Sequence, residues 1–327
     1  MNYCFVTKFF LFIFLSINLF IGKHTYADNT HHEFYNNIAI FYPKAREPYN
    51  AIYQKITAGC IEAAEENNQK IIIKTNIITK HFNTEEIAQN LEQQHINKVI
   101  VLGRSGWKLA KQLSQYTLRN KSAKFQVVSG ALPITPNGVS GISLITDPAY
   151  LFNYLKQVAP NITKVHVAYS KKSAWLIKLA KIAAQEKGLI LNLQPVSSTA
   201  EAITFYQDLF ASGVSNKDAI WLPFDRISSH DKITLPLILE KAWAEEVVIF
   251  SSKPSHAKRG VLFSTYPDNF ALGKHLFTMV QELEQQPKQK NFAALKSTLL
   301  AVNLRTAAHL GLKYSTEQQQ LFKLIFP

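Results

Sequence analysis

Cysteine is nearly absent: the chain has two in 327 residues, at positions 4 and 60. The first lies in a segment expected to be removed, so Cys60 alone remains, and no intrachain disulfide can form even in an oxidising compartment. A zinc site of the cysteine type is excluded for the same reason. Long apolar runs are also missing beyond the amino terminus, and nothing there approaches the ~20 residues needed to span a bilayer. There is no Gly-x-Ser-x-Gly elbow, no Gly-rich phosphate loop ending in Gly-Lys-Ser/Thr, and no His-Glu-x-x-His. The sequence therefore offers no handle for acyl transfer, P-loop chemistry or zinc proteolysis, and no catalysis and no cofactor are expected. His31-His32 sits in a polar tail, and His95, His166, His230 and His256 are too scattered to form a metal site.

Acidic side chains are scarce as well, 23 against 36 basic ones, for a formal charge of +13. The basic residues are spread along the chain in runs no longer than two, as at Lys171-Lys172, and no zinc-finger, homeodomain or RNA-binding motif accompanies them. A nucleic-acid partner is not expected. Such a charge suits an anionic lipid surface or an acidic partner better.

What is present begins with an export signal. Lys8 precedes the apolar stretch from Phe9 to Ile21, and Thr-Tyr-Ala at 25 to 27 closes it. Cleavage is expected after Ala27, making residues 1–27 a signal peptide and the mature protein periplasmic. Cys4 stands before the apolar stretch, so it is not the lipid-modified cysteine of a lipoprotein. Loss of Lys8 and Lys23 leaves 34 basic and 23 acidic residues, or +11. The remaining 300 residues suffice for two lobes of ordinary domain size.

From residue 37 onward, short β-branched runs alternate with helical patterns, the signature of parallel sheets covered on both faces. Eight runs fall into two sets of four: NIAIFY (37), KIIIKT (70), KVIVLG (98) and KFQVVSG (124), then KVHVAYS (164), LILNLQPV (189), DAIWLP (218) and EVVIFSS (246). Asn83 with Glu86 three residues on, and Asp147 followed by Pro148, mark helix starts. Ile52, Ile56 and Cys60 form one apolar stripe on the first helix. ALPITPNGVSGISL, with two Pro and two Gly, reads as a crossover between lobes. RGVLFST (259) and LLAVNL (299), each followed by a helical segment, suggest a return to the first lobe and a last crossing. The expected fold is α/β: two doubly wound parallel-sheet lobes joined by a three-crossing hinge. The expected division is 28–137 for lobe 1, 138–262 for lobe 2, 263–290 for the return, and 291–327 for the final crossing and a carboxyl-terminal segment on lobe 2. Crossovers are expected at 131–144, 251–263 and 290–303.

YPKAREPYNAIYQKI, DAIWLPFD, VVIFSS, RGVLFSTYPDNFALGKH and VNLRTAAHLGL occur in an order that resembles ABC-transporter substrate-binding proteins of the tryptophan-binding-protein-like group. That resemblance implies the type I periplasmic binding protein fold and a small ligand held between two lobes. It also implies a membrane partner, either an ABC-transporter permease or a sensor, and the chain itself is read as a monomer. An envelope hydrolase or lyase on the same plan is the remaining alternative. The ligand is expected to be an amino acid or another small aromatic or anionic solute.

Open parallel sheets place ligands at the carboxyl ends of their strands. Carried over by position, the candidate contacts are Tyr42, Arg46, Tyr49, Arg104, Ser105 and Ser129 in lobe 1, and Tyr169, Ser170, Asp225 and Ser251 in lobe 2. The chain departs from its relatives after the first strand of lobe 2, where Ser170-Lys171-Lys172-Ser173 stands in place of the acidic residue and the Asn-Ser pair that many of them carry. Tyr42 and Tyr49 offer stacking faces. Arg46 offers a planar fork for a carboxylate or phosphate, or else a solvated pair with Glu47 or Glu62. Asp225 can meet a ligand ammonium or hydroxyl, or cap a turn, and Ser251-Ser252 fits turn chemistry better than contact.

Overall fold

The computed structural model describes residues 37–67, 70–120, 124–285 and 291–327. The expected signal peptide, its cleavage point and His31-His32 lie outside the described residues. Among those described, no helix is long and apolar enough to cross a membrane.

The chain opens with β1 (Ile38–Pro43), α1 (Tyr49–Glu65), β2 (Ile73–Ile78), α2 (Thr84–Gln93), β3 (Lys98–Leu102), α3 (Gly103–Arg119), β4 (Gln126–Leu132) and β5 (Ser140–Thr146). There follow α4 (Pro148–Val158), β6 (Lys164–Tyr169), α5 (Ala174–Glu186), β7 (Ile190–Pro195), α6 (Thr199–Ala211), β8 (Asp218–Leu222), α7 (Thr234–Ala244), β9 (Val248–Ser251) and β10 (Phe263–Pro267). The last elements are α8 (Asn269–Gln285), β11 (Phe292–Leu295), β12 (Thr298–Asn303), α9 (Leu304–His309), α10 (Thr316–Gln320) and β13 (Phe322–Phe326).

These strands make two sheets, one of order β11-β5-β4-β3-β1-β2 and one of order β13-β12-β10-β9-β8-β6-β7. The period of two along each strand explains why both are covered twice. In the first sheet Ile38, Ile40, Ile100 and Leu102 point to a core shared with α1 and α8, whereas Ala39, Phe41, Val99 and Val101 point to one shared with α2 and α3. In the second, Ala219 and Trp221 face α4 and α5, while Ile220 and Leu222 face α6 and α7. Each fully buried Ile, Leu, Val or Phe contributes about 1.5–3 kcal/mol. Helix starts follow the sequence: the Asn83 side chain accepts from the Glu85 and Glu86 amides, and Asp147 accepts from the Ala149 amide with Pro148 in the first turn.

Helices α1 and α8 cross with their backbones in contact. A Cβ on Gly59 would lie 2.0 Å from the Phe270 carbonyl oxygen, and one on Gly273 2.0 Å from that of Ile56. Cys60 sits in this crossing, where its thiol donates to the Gly273 carbonyl at 3.2 Å and burial pushes its pKa up to about 12. It is a packing residue rather than a nucleophile.

The expected crossovers at 131–144 and 251–263 are corrected by the sheet membership. β5 bonds in the first sheet, so the chain leaves it at 146–148 rather than before 138. β10 bonds in the second sheet, so the return falls at 267–269 rather than at 263. The last passage, from β11 in one sheet to β12 in the other, falls at 295–298. All three run side by side: Thr146 and Thr265 share a hydroxyl hydrogen bond of 2.8 Å, the Asp147 amide donates to the Leu295 carbonyl at 2.9 Å, and the Asp268 amide donates to the Ser297 carbonyl at 3.0 Å. Not every strand is parallel, since β12 runs antiparallel to β10.

Candidate functional site

Strand direction locates the site. β5 is parallel to its neighbour β4, and its carboxyl end leads out of the first sheet toward the second. β10 is parallel to β9, and its carboxyl end leads back toward the first. The carboxyl ends of β1, β3 and β4 therefore face those of β6, β8 and β9 across the three crossings. Trp175, in the first turn of α5, makes a T-shaped contact with Phe292 of β11, their ring centroids 5.6 Å apart.

In the first lobe the loop from Pro43 to Pro48 leaves β1 and enters α1. The Glu47 carboxylate accepts from the Asn50 side chain at 3.1 Å and the Ala51 amide at 3.2 Å, so it caps the helix. Glu62 is taken by Lys274 at 2.5 Å. Neither acid pairs with Arg46, whose exposed guanidinium has no partner among the described residues. Tyr42 is half-buried and stacks on Tyr53 at 6.0 Å, which occupies one of its faces, while Tyr49 is 63 % exposed. Gly103, with φ +71°, lies against that pair: a Cβ there would sit 2.5 Å from the Tyr53 hydroxyl. It sets Arg104, exposed, and Ser105, half-buried, at the head of α3 beside the same loop. Ser129 is buried near the end of β4, its hydroxyl unpartnered among the described residues and packed against Gly141.

In the second lobe one acid at the strand ends is taken up by the protein itself. Asp225, almost fully buried, accepts from the Ser170 amide (2.9 Å), the Ser173 hydroxyl (2.7 Å), the Ile227 amide (2.8 Å) and the Ser228 amide (3.2 Å). Those four donors fill the roughly four acceptor positions of a carboxylate. Burial pushes the Asp225 carboxyl up, but the bonds from Ser170 and Ser173 outweigh it and hold the group below the ordinary carboxylate range. With these four bonds its oxygens tie the end of β6 to the end of β8. Ser170 is buried in the same knot. Ser251 is also internal, lying 2.8 Å from His256 Nδ1 and accepting from the Lys253 amide at 3.0 Å. Tyr169 is half-buried. Arg226, passed over in the sequence, is exposed on the turn that Asp225 anchors. The pattern Leu-Pro-Phe-Asp-Arg could have drawn attention to it.

Behind these loops lies a part-buried charged cluster. Lys253 Nζ contacts Asp231 at 2.7 Å, and the fully buried His256 contacts the same carboxylate oxygen at 3.1 Å. Burial pushes the His256 pKa down from 6.5 to about 4, reinforced by Lys253 and opposed by Asp231. The unfolded chain therefore takes up a proton near pH 6.5 that the folded chain refuses until about pH 4. The stabilisation is present above pH 6.5 and is lost as pH falls from there to about 4, roughly 3 kcal/mol in total. His256→Gln should flatten this part of the profile. Urea titrations of both proteins between pH 7.5 and 4.5 check it, and parallel slopes would show that the imidazole does not contribute.

Two layered sheets, strand ends facing each other and three adjacent crossings define a two-lobed solute-binding architecture, the type I periplasmic binding protein fold. The chain belongs to the ABC transporter substrate binding protein family, which matches residues 127–321, more than half its length. Comparison with curated proteins finds no match. Among solved structures, the chain is similar to a ligand-free, open substrate-binding protein with adhesive properties from Clostridium difficile. The two are 14% identical over 89% of this chain and 99% of that one, with a TM-score of 0.57, a likeness of fold. It is also similar to the ABC domain of Streptococcus pneumoniae solved with L-Trp, 18% identical over 89% and 99% of the two chains, with a TM-score of 0.48.

Proposed function

We propose that the protein is exported to the periplasm, captures a small solute between its lobes as a monomer, and delivers it to the permease of an ABC transporter. The observation that carries this reading is the facing of two sets of strand ends across three adjacent crossings, in a chain of a substrate-binding family. Tyr42, Arg46, Tyr49, Arg104, Ser105 and Tyr169 remain accessible on those ends as candidate contacts, with Arg46 as the anchor for an anionic group of the ligand. The buried Ser170, Asp225 and Ser251 shape the loops instead, and Ser129 is buried within β4. The role is capture and closure, without turnover of the solute.

A thermal-shift screen of amino acids, nucleobases, sugars and small anions identifies the ligand, since a solute at a hundred times its dissociation constant adds ~2.7 kcal/mol of stability. Calorimetric titration then tests the anchor. Arg46→Ala should lose ~1.5–3 kcal/mol of affinity, roughly 10- to 150-fold, with melting of the free protein unaltered. Equal affinities would move the anchor to Arg104.

A further inference from the structure

We propose that the interlobe site selects organic anions that lack a free ammonium group, and that the ligand's negative charge is what allows the lobes to close. The inference rests on the solute-binding reading and deepens it.

Its basis is the fate of the charged side chains at the strand ends. Every carboxylate on the loops that leave the central strands already holds at least one donor, and Asp225 holds four. Glu47 caps α1, and Asp231 holds Lys253 and His256. At the crossings Asp147 caps α4, and Asp268 accepts from the Phe270 and Ala271 amides at the head of α8. Glu85 and Glu86 keep exposed carboxylates, but they follow β2, the outer edge strand of the first sheet. The cations present the opposite picture. Lys44, Arg46 and Arg104 on the first lobe, and Lys171, Lys172 and Arg226 on the second, are all exposed. None makes a side-chain hydrogen bond or ion pair with another described residue.

An amino acid bound in a desolvated cleft needs an acceptor for its ammonium, because an unpaired buried charge is costly. Taking that acceptor from Asp225 would strip buried amides and a hydroxyl of their partner, and at Asp231 the ammonium would share a carboxylate with Lys253 and His256. A carboxylate without an ammonium needs only the free cations. Closure adds a second requirement. Across an open cleft wider than the Debye length, about 8–10 Å at physiological ionic strength, the two sets of cations are screened from each other. Brought together without a counter-charge they repel, and an anion between them converts that repulsion into attraction from both sides. The half-exposed rings of Tyr42 and Tyr169, with the exposed Tyr49, suit a flat body for that anion.

Three compounds with one ring separate the charge requirements: 3-(4-hydroxyphenyl)propionate, tyrosine and tyramine. Calorimetric titration of the protein at pH 7 should rank the acid first, tyrosine at least about tenfold weaker, and tyramine without measurable binding. Raising the salt concentration from 50 to 500 mM should weaken the acid by about tenfold. Tyrosine or tyramine binding as tightly as the acid would overturn the proposal, and so would affinity for the acid that ignores salt. If none of the three binds but a neutral or cationic solute from the wider screen does, the anion proposal fails and the solute-binding reading stands. If nothing in the whole screen binds, both fail.

Discussion

Gly59→Ala should cost about 3 kcal/mol or more of folding stability, and Gly273→Leu should leave little folded protein. The expected loss comes from backbone, not side chains. At both positions an added Cβ would lie 2.0 Å from a carbonyl oxygen of the facing helix, a contact that no rotamer change can relieve. Helices α1 and α8 would have to separate, and with them Ile56, Cys60, Leu272 and Leu276 would leave the core over the first sheet. Gly188 supplies the contrast. Its φ of +62° strains any other residue, but nothing lies within 4 Å of an added Cβ. Gly188→Ala should therefore cost only about 1–2 kcal/mol. Urea and thermal unfolding of the three variants measure this, and equal losses at Gly59 and Gly188 would mean that the helices can move apart cheaply.

The second large effect is expected at Asp225. Asp225→Ala removes the acceptor of two loop amides, the Ser170 amide and the Ser173 hydroxyl at once, all in a nearly dry setting. Leaving such groups unpaired should cost about 3–5 kcal/mol. Asp225→Asn keeps one carbonyl acceptor and should cost less. Because the native carboxyl is held below its ordinary range, its stabilisation is complete above the unfolded-state pKa and fades as pH falls through the folded one. Stability and binding separate the two roles of this side chain. As a tie between β6 and β8 it should show its loss in unfolding of the free protein. Were it a ligand contact, melting of the free protein would survive Asp225→Asn and only affinity would fall.

The architecture could be read from the sequence because the central strands are continuous apolar runs. All eight runs appear as strands, four in each sheet; β2 and β7 lie at the edges, and the six inner ones, buried on both faces, need apolar residues at successive positions. β5 was hidden by its own packing. Pro133, Pro136, Gly138 and Gly141 look like a linker, yet Gly141 is required within the strand, where a Cβ would meet the Ser129 carbonyl oxygen at 2.3 Å. β11 and β13 are short edge strands at the sheet margins, of four and five residues. β2 begins at Ile73 rather than at Lys70, as an edge strand whose pairing with β1 sets its limits.

The places of the candidate residues were legible in the sequence, their partners less so. Arg46, Arg104 and Tyr49 stand exposed at strand ends, as their places after apolar runs suggested. Asp225 and Ser251 stand at strand ends too, but their partners come from residues up to 55 positions away, and such pairing is invisible in a linear pattern. A carboxylate at a strand end reads the same whether it faces a ligand or a neighbouring loop. Only the count of its donors tells them apart.

Capture between two hinged lobes is most directly tested by small-angle X-ray scattering of the protein with and without its tightest-binding solute. Closure about the crossings at 146–148, 267–269 and 295–298 should lower the radius of gyration at saturation, because three short adjacent crossings permit rotation of the lobes without unfolding. Saturation by a bound solute with a scattering curve superimposable on that of the free protein would contradict it.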